Sequence, residues 1–309
     1  MRIGMAGLLL WIAGIGGCKQ APMPAQPRVA HASAARITPR GARAVEVSEL
    51  SASTGDFVGF DRNLYPGDDR LTELKKSFTF VGYWLNHPPG ETENGWVGKR
   101  KILRDAGFGF LVLANGRLDR EIKQAKVTPE LLGQKDAADA VTVAKREGFP
   151  EKTILFLDQE EGGRLLPEQA GYFFGWTEAV AAAGYRPGAY LSGQKDGDGT
   201  GPDGKPAFVT TAQDVREHVV REHRHEVMLW VYDDTCPPAP GCVLAPPHVR
   251  DSGTMDAPVW QYAQSPRRPE LTKGCAKTYG ADGNCYAGVS TDLFLDLNVA
   301  NSSDPSGGR

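Results

Sequence analysis

The 309-residue sequence lacks the short motifs that mark several common classes of protein. No GxGxxG follows its first predicted strand, and Gly163-Arg164 is not continued by Gly-Lys-Ser/Thr, which argues against dinucleotide- and phosphate-binding loops. No Ser/His/Asp motif supports nucleophilic catalysis. The formal net charge is −3 and no basic stripe runs along the chain, so nucleic acid is not an expected partner.

The start of the chain has an apolar run that is too short to span a membrane as a helix. Met1-Arg2 is followed by apolar residues 3–15, fewer than the roughly 20 that a bilayer core of about 30 Å requires. Small residues then lead directly to Cys18, a layout typical of a secretory signal peptide and similar to that of bacterial lipoproteins. We expect residues 1–17 to be a signal, Cys18 to be lipidated and residues 18–55 to form a flexible tether. The protein would then be exported and anchored to a membrane of the cell envelope, on the periplasmic side or at the outer membrane. The alternative is an ordinary cleaved signal with an incidental cysteine.

Four further cysteines lie in the last quarter of the chain, at Cys236, Cys242, Cys275 and Cys285. An even number in an exported chain indicates two disulfides, with three possible pairings. The local pairing of 236 with 242 and 275 with 285 is preferred, because each pair brackets a Pro/Gly-rich loop. Neither spacing resembles a CxxC zinc knuckle, and we expect no metal and no cofactor.

Eight short apolar runs alternate with longer amphipathic stretches between residues 56 and 300. The predicted strands are Phe57–Asp61, Thr79–Leu85, Phe108–Leu113, Thr153–Asp158, Arg186–Ser192, Glu226–Tyr232, Ala257–Tyr262 and Thr291–Asp296. The predicted helices are Trp96–Asp105, Gln134–Glu147, Pro167–Ala183 and Ala212–His223. This alternation favours an α/β fold, a TIM-like (β/α)8 barrel, over an open Rossmann-type sheet. Connections 233–256 and 263–290 are expected as irregular, disulfide-bearing loops, and 301–309 as a flexible tail.

Acidic side chains close several predicted strands, where such a barrel carries its chemistry. Asp158 and Glu160 lie two positions apart, so in extended chain their carboxyl groups point to the same side. Two close carboxylates can differ in pKa, and glycoside hydrolysis needs one that is protonated. Glu160 is the predicted general acid, with Asp158 as its electrostatic partner or as the group that orients a sugar's N-acetyl group. Asp61 and Asp296 would approach from the first and last strands.

The neighbouring acidic residue, Glu161, is expected to have a different role. It points to the other side if the chain remains extended. We therefore predict that Glu161 is structural or pairs with Arg164, and that Arg164 could hold one acid of this segment ionised.

Aromatic residues, Trp84 and Tyr232 among them, follow the same strand ends and could provide flat platforms for sugar faces. The predicted substrate-binding residues are Tyr83, Tyr190, Trp230, Trp260, Gln261 and Tyr262. The alternative is that the aromatic side chains close the top of the barrel by packing.

Five short motifs occur in the order found in family-25 glycoside hydrolases, the muramidases. They are Gly59-Phe60-Asp61, Leu157-Asp158-Gln159-Glu160, Leu229-Trp230-Val231, Val259-Trp260-Gln261-Tyr262 and Leu295-Asp296-Leu297-Asn298. Over about residues 56–300 the chain resembles, more closely still, the glycoside hydrolase-like barrel domains of unknown function related to that family. The resemblance implies Glu160 as the acid, with Asp61, Asp158 and Asp296 as supporting carboxylates.

Three hypotheses about function follow. The first is a cell-envelope glycosidase that hydrolyses peptidoglycan-type amino-sugar linkages with an Asp/Glu pair. The second is a lipoprotein that binds glycan in the same cleft without cutting it. The third is an envelope scaffold, because fold alone does not determine function.

Overall fold

The computed structural model describes residues 56–233, 246–264, 293 and 295–309. All of them belong to one compact unit, Ser53–Arg309. Cys18, the tether and the four later cysteines lie outside the described residues, so lipidation and the disulfides stay predictions. In the part of the chain that is described, no helix combines the length and apolar character needed to cross a bilayer.

Eight strands form a closed barrel, which confirms the predicted α/β barrel class. They are β1 (Phe57–Asp61), β2 (Phe80–Trp84), β3 (Gly109–Asn115), β4 (Ile154–Asp158), β5 (Arg186–Ser192), β8 (Met228–Tyr232), β9 (Val259–Ala263) and β10 (Asp296–Ala300), in the closed order β1-β10-β9-β8-β5-β4-β3-β2. Strands β6 (Asp196–Thr200) and β7 (Pro206–Val209) form a separate antiparallel hairpin after β5. Every residue of β2 and β4 is buried, as expected of strands covered on both faces.

The helices between the strands are α1 (Leu71–Leu74), α2 (Arg100–Asp105), α3 (Asp119–Gln124), α4 (Pro129–Glu147), α5 (Pro167–Ala182) and α6 (Thr211–Glu222). Local sequence sets the ends of the longest one. The Thr128 side chain accepts a hydrogen bond from the Leu131 amide, Pro129 occupies the first turn, and Gly148 ends the helix at φ 83°. Two predicted helices begin at different residues: α4 starts five residues earlier than predicted, and α2 starts at Arg100 rather than Trp96.

The last strand corrects the prediction of eight parallel strands. β10 begins at Asp296, where the predicted strand ended, and it pairs antiparallel with both β1 and β9. Its reversed direction places its first residue at the rim where the parallel strands have their carboxyl ends. Asp296 is thus directly opposite Asp61 in the β1–β10 register. An apolar run indicates that a strand is buried but not in which direction it runs. The sequence therefore predicted the correct rim for Asp296 but placed this residue at the end of its strand instead of at the start.

The C-terminal residues differ from the predicted flexible tail. Ser306 is buried, its hydroxyl accepts a hydrogen bond from the Val112 amide at 2.9 Å, and its backbone carbonyl accepts one from the Ile154 amide. The Arg100 guanidinium also donates to the Gly308 carbonyl at 2.7 Å. The tail therefore fills the gap between β3 and β4 at the end of the barrel opposite the acidic rim, and satisfies backbone groups that would otherwise be buried without partners.

Candidate active site

The strand register shows that the inward-facing polar side chains of the barrel lie near one rim. Asp61 faces the same side as Gly82, because a Cβ atom on Gly82 would lie 2.5 Å from the Cβ of Asp61. Asp158 is in register with Tyr190, which in turn is in register with Trp230. The side chains of these residues all point inward, so the carboxyl groups and the aromatic rings meet inside the barrel.

Asp61 lies at the centre of a buried hydrogen-bond network. Its Oδ2 accepts hydrogen bonds from the Asn298 side-chain amide at 2.7 Å and from the Gln261 amide at 3.1 Å. The Trp230 indole donates to the Asn298 Oδ1 at 2.9 Å, and the Tyr190 hydroxyl donates to the Gln261 Oε1 at 2.7 Å. Burial raises the pKa of Asp61 to about 6, and the two amide donors oppose that rise. The network therefore holds this carboxyl in one orientation and favours its ionised form at neutral pH.

Asp158 is also buried, but its surroundings differ from those of Asp61. Its Oδ1 is buried and has no hydrogen-bond partner among the residues that the structure describes. Burial raises the pKa of Asp158 well above its ordinary value, and the nearby carboxyl groups of Glu160 and Asp61 add to that rise. A buried carboxyl beside two others and without donors favours its protonated form.

The end of β4 approaches the next loop closely at Gly116. The Gly116 amide donates to the Asp158 carbonyl at 3.1 Å. A Cβ atom at Gly116 would lie 2.3 Å from the same oxygen. Only glycine permits this approach, which holds the backbone of Asp158 against the loop that follows β3.

Glu160 lies at the mouth of the barrel with an exposed side chain. The Tyr232 hydroxyl donates to the Glu160 carbonyl at 2.9 Å and fixes the backbone there. The protein around the carboxyl partly desolvates it, which raises the pKa of Glu160, and the charge of Glu161 raises that pKa further. Glu160 is therefore a carboxyl group that substrate can reach and whose protonated form is favoured relative to an isolated glutamate.

Glu161 has a structural role, in agreement with one of the two predicted alternatives. Its Oε2 accepts hydrogen bonds from the Asp119 amide at 2.8 Å and from the Gln169 side chain at 2.6 Å. These contacts attach the loop after β4 to helices α3 and α5.

Arg164 does not pair with Glu161 or with the acids of the rim, which corrects the other alternative. Its guanidinium binds both carboxylate oxygens of Asp198 at 2.7 and 2.8 Å, together with Asp214 at 2.7 Å and Glu217 at 2.9 Å. Asp198 belongs to the β6–β7 hairpin, and the other two acids belong to α6. Arg164 thus connects the loop that carries Glu160 to the hairpin and to the next helix.

The six predicted substrate-binding residues divide into two groups. Tyr190, Trp230 and Gln261 face the barrel interior and line a small pocket with the acids. Tyr83 faces the helices, where its hydroxyl donates to Glu147 Oε2 at 2.6 Å. Trp260 and Tyr262 flank the inward-facing Gln261, so they lie on the opposite face of β9 and pack edge-on against each other. The prediction is corrected for Tyr83, Trp260 and Tyr262.

Two connected cavities open at this rim. The inner pocket, of about 70 Å³, lies among Asp61, Asp158, Glu160, Asp296 and the inward aromatic rings. A larger groove of about 470 Å³ extends from Asp158 and Glu160 across the loops after β2 and β3 to helix α4. No group of three or more His, Cys, Asp or Glu side chains in the described part of the chain is arranged to hold a metal ion.

Comparison with known proteins agrees with this architecture. Residues 85–223 match the family model of the Rv2525c-like, glycoside hydrolase-like domain. These residues, somewhat less than half of the chain, are similar to a glycoside hydrolase-like domain. The predicted resemblance to glycoside hydrolase-like domains is thus confirmed over residues 85–223, which include one of the five motifs, Leu157-Asp158-Gln159-Glu160. No curated protein matches the sequence.

Several solved structures are similar to this chain to different degrees. An uncharacterized B. stearothermophilus protein has a TM-score of 0.50 at 20% identity, over 79% of this chain and 95% of that one. The Tat-secreted protein Rv2525c of Mycobacterium tuberculosis has a TM-score of 0.45 at 12% identity, over 80% and 96% of the two chains. A family 25 glycosyl hydrolase from Bacillus anthracis has a TM-score of 0.43 at 12% identity, over 84% and 94%. At such identities the first similarity shows a shared fold alone.

Two residues of this site were not among the predicted site residues: Asn298 was given no role, and Trp84 was considered only as one of the strand-end aromatic residues. Asn298 holds Asp61 in place, and Trp84 lines the inner pocket while its indole donates to the Arg62 carbonyl at 3.0 Å. Asn298 lies two residues after Asp296, the same spacing that brought Asp158 and Glu160 to one face, so the period of a strand could have identified it. Trp84 is adjacent to Tyr83, and the choice between them required the strand register.

Proposed function

We propose that the glycoside hydrolase-like domain hydrolyses β-linked amino-sugar bonds of a peptidoglycan-type glycan, with Glu160 as general acid. The observation that carries the proposal is the grouping at one barrel rim of an accessible carboxyl, Glu160, and two buried ones, Asp158 and Asp61. Glycoside hydrolysis requires a carboxyl that holds a proton near the scissile bond and further carboxyl groups around it. The raised pKa of Glu160 suits it to the first role.

In this mechanism Glu160 donates its proton to the glycosidic oxygen as the bond from that oxygen to the anomeric carbon breaks. Water then adds to the anomeric carbon and its proton returns to the carboxylate of Glu160, so the net reaction consumes one water molecule. Asp158 lies deeper in the pocket, where it orients the acetamido group of the sugar. Asp61 contributes a fixed negative charge held by Asn298 and Gln261.

The direct test measures reducing ends released from purified peptidoglycan and from chitin oligomers by the full chain. Release from peptidoglycan supports the proposal. A chain that is folded and inert on every glycan would contradict hydrolysis. If that inert chain were still retained by insoluble peptidoglycan, the result would favour a binding module, whereas the absence of both would favour a scaffold.

We also propose that the domain acts outside the cytoplasm, attached to an envelope membrane through lipid on Cys18. The signal-like start of the sequence supports this location. The expected result is incorporation of a radiolabelled fatty acid into the wild-type chain and none into Cys18→Ser. An unlabelled wild-type chain, or equal labelling of the two, would contradict the anchor.

A further inference from the structure

The outer groove differs in chemistry from the inner pocket that it joins. The inner pocket is lined by three aromatic side chains, Trp84, Tyr190 and Trp230. Among the described residues that line the groove there is no Trp, Tyr or Phe. Sugar rings are commonly bound on the large flat faces of Trp, Tyr and Phe, and the aromatic ring that the groove does contain is the imidazole of His87. The rest of its lining consists of charged and amide side chains together with apolar ones such as Leu85, Leu118 and Val143.

Most of the charged groups that line the groove are already paired. Asp136 accepts both hydrogen bonds of the Arg117 guanidinium, at 2.5 and 3.0 Å, and also one from the Tyr172 hydroxyl. Asp139 pairs with Lys135 at 2.9 Å. Glu121 accepts a hydrogen bond from the Leu118 amide at 2.8 Å, at the start of its own helix.

Arg120 differs from these paired side chains. Its side chain is exposed at the groove, and it makes no hydrogen bond or ion pair with the residues that the structure describes. Arg117 beside it is committed to Asp136, so the two guanidinium groups are not equivalent. A guanidinium with free donors matches the planar, two-oxygen geometry of a carboxylate.

The walls around Arg120 are held before any ligand arrives. The Asn86 side chain donates to the Asn115 carbonyl at 3.0 Å and accepts from the Asn115 amide at 2.7 Å. The Asn115 side chain donates to the His87 carbonyl at 3.0 Å. These bonds join the loop after β2 to the end of β3. This part of the groove is therefore ordered before a ligand binds, and binding does not have to supply the free energy of ordering it.

We propose that the groove is a subsite for a carboxylate-bearing peptide substituent of the glycan, with Arg120 as the residue that binds the carboxylate. The inference rests on the proposed function, because it assumes that the sugar carrying the peptide occupies the adjoining inner pocket. A peptide is favoured over an acidic sugar because the described lining of the groove has no Trp, Tyr or Phe and combines side-chain amides, charges of both signs and aliphatic side chains. The subsite would select glycan that still carries its peptides.

The test titrates the full chain with an acetylated pentapeptide that has two free carboxylates, followed by NMR chemical-shift changes. We expect Arg120→Gln to weaken binding about tenfold, the size of effect typical of one charge-assisted hydrogen-bonded contact. Arg120→Lys should weaken it less, because the charge remains. The matched control is Lys126→Gln, which removes an exposed positive charge outside the groove and should leave the affinity unchanged.

Two further probes separate the alternatives. The same peptide with both carboxylates converted to amides should bind wild type as weakly as the acid binds Arg120→Gln. An acidic sugar oligomer that bound through Arg120 while the peptide did not would overturn the proposal, as would equal binding of the acid and amide peptides.

Hydrolysis assays distinguish failure of this inference from failure of the proposed function. Wild type should cleave peptide-bearing glycan faster than the same glycan after its peptides are removed, and Arg120→Gln should abolish the difference. Peptide binding without hydrolysis of either glycan would contradict the proposed function and support the subsite. Hydrolysis of both glycans at one rate, without peptide binding, would support the proposed function and contradict the subsite.

Discussion

Glu160→Gln is expected to reduce turnover of peptidoglycan by about 10²- to 10⁴-fold, the contribution typical of a positioned general acid. Glutamine keeps the size of the side chain but cannot donate the proton that the leaving oxygen needs. The Glu160 side chain is exposed, and the bond that fixes this position involves its backbone carbonyl and the Tyr232 hydroxyl. The variant should therefore fold normally. Initial rates of reducing-end release, with circular dichroism of both proteins, measure the effect.

The control for this prediction is Glu130→Gln, which neutralises an exposed acid in the first turn of α4, away from both cavities. It should retain wild-type turnover. The pH profile provides a second criterion, because a general acid works only while it is protonated. Wild-type activity should fall as the pH rises through the raised pKa of Glu160, and the residual activity of Glu160→Gln should lack that fall. Unchanged turnover in Glu160→Gln would exclude this residue as the acid.

Asn298→Leu is expected to lower the free energy of unfolding by about 3 kcal/mol at pH 7.5, because hydrogen bonds to charged groups contribute roughly 1.5–3 kcal/mol and an unpaired buried donor costs roughly 1–3 kcal/mol. The substitution removes the 2.7 Å donor to Asp61 and leaves the Trp230 indole without its acceptor. Leucine has the same branching and the same number of side-chain heavy atoms as asparagine but lacks its hydrogen-bonding groups, and its bulkier methyl groups add to the cost. Chemical denaturation monitored by tryptophan fluorescence measures the difference.

The cost of Asn298→Leu should depend on pH in a defined direction. The folded-state pKa of Asp61 is raised from 3.8 to about 6, so the stability linked to its protonation is present below pH 3.8 and is lost as the pH rises through about 6. Loss of the Asn298 donor raises this pKa further, and the variant's penalty should be smaller at pH 4.5 than at pH 7.5. In an Asp61→Asn background the pH dependence of the penalty should disappear. A penalty that is equal at both pH values, with Asp61 present, would contradict the assigned network.

The strands of the barrel could be predicted because burial on both faces imposes continuous apolar runs. Seven of the eight predicted strands share at least four residues with the observed ones, and β4 with its terminal Asp158 is an example. The direction of β10 could not be predicted, since an antiparallel strand in this position is buried like its neighbours. The packing of the C-terminal residues was not predicted for a related reason. Ser306 has a small polar side chain and Gly308 has none, so no apolar pattern marks them as buried, and the hydrogen bonds of their backbone reveal their role.

The carboxyl groups of the site were easier to identify than its aromatic residues. Asp61 and Asp158 end strands and Glu160 follows two residues after β4, so all three lie at one rim whichever face of each strand points inward. The aromatic residues required knowledge of which face of each strand points inward, and a shift by one position separates Trp84 from Tyr83 and Gln261 from Trp260. Sequence position alone does not carry that information.

The sequence by itself therefore determined the barrel class, the rim that carries the acids and the family resemblance, because apolar runs and strand-end motifs are local properties of the chain. Only the tertiary structure decided how each acid behaves. Asp61 is held by amides from β9 and β10, Asp158 is buried beside other carboxyl groups, and Glu160 remains accessible at the mouth. These differences depend on residues as far apart in sequence as 61 and 298, and burial and hydrogen bonding exist only after the chain has brought them together.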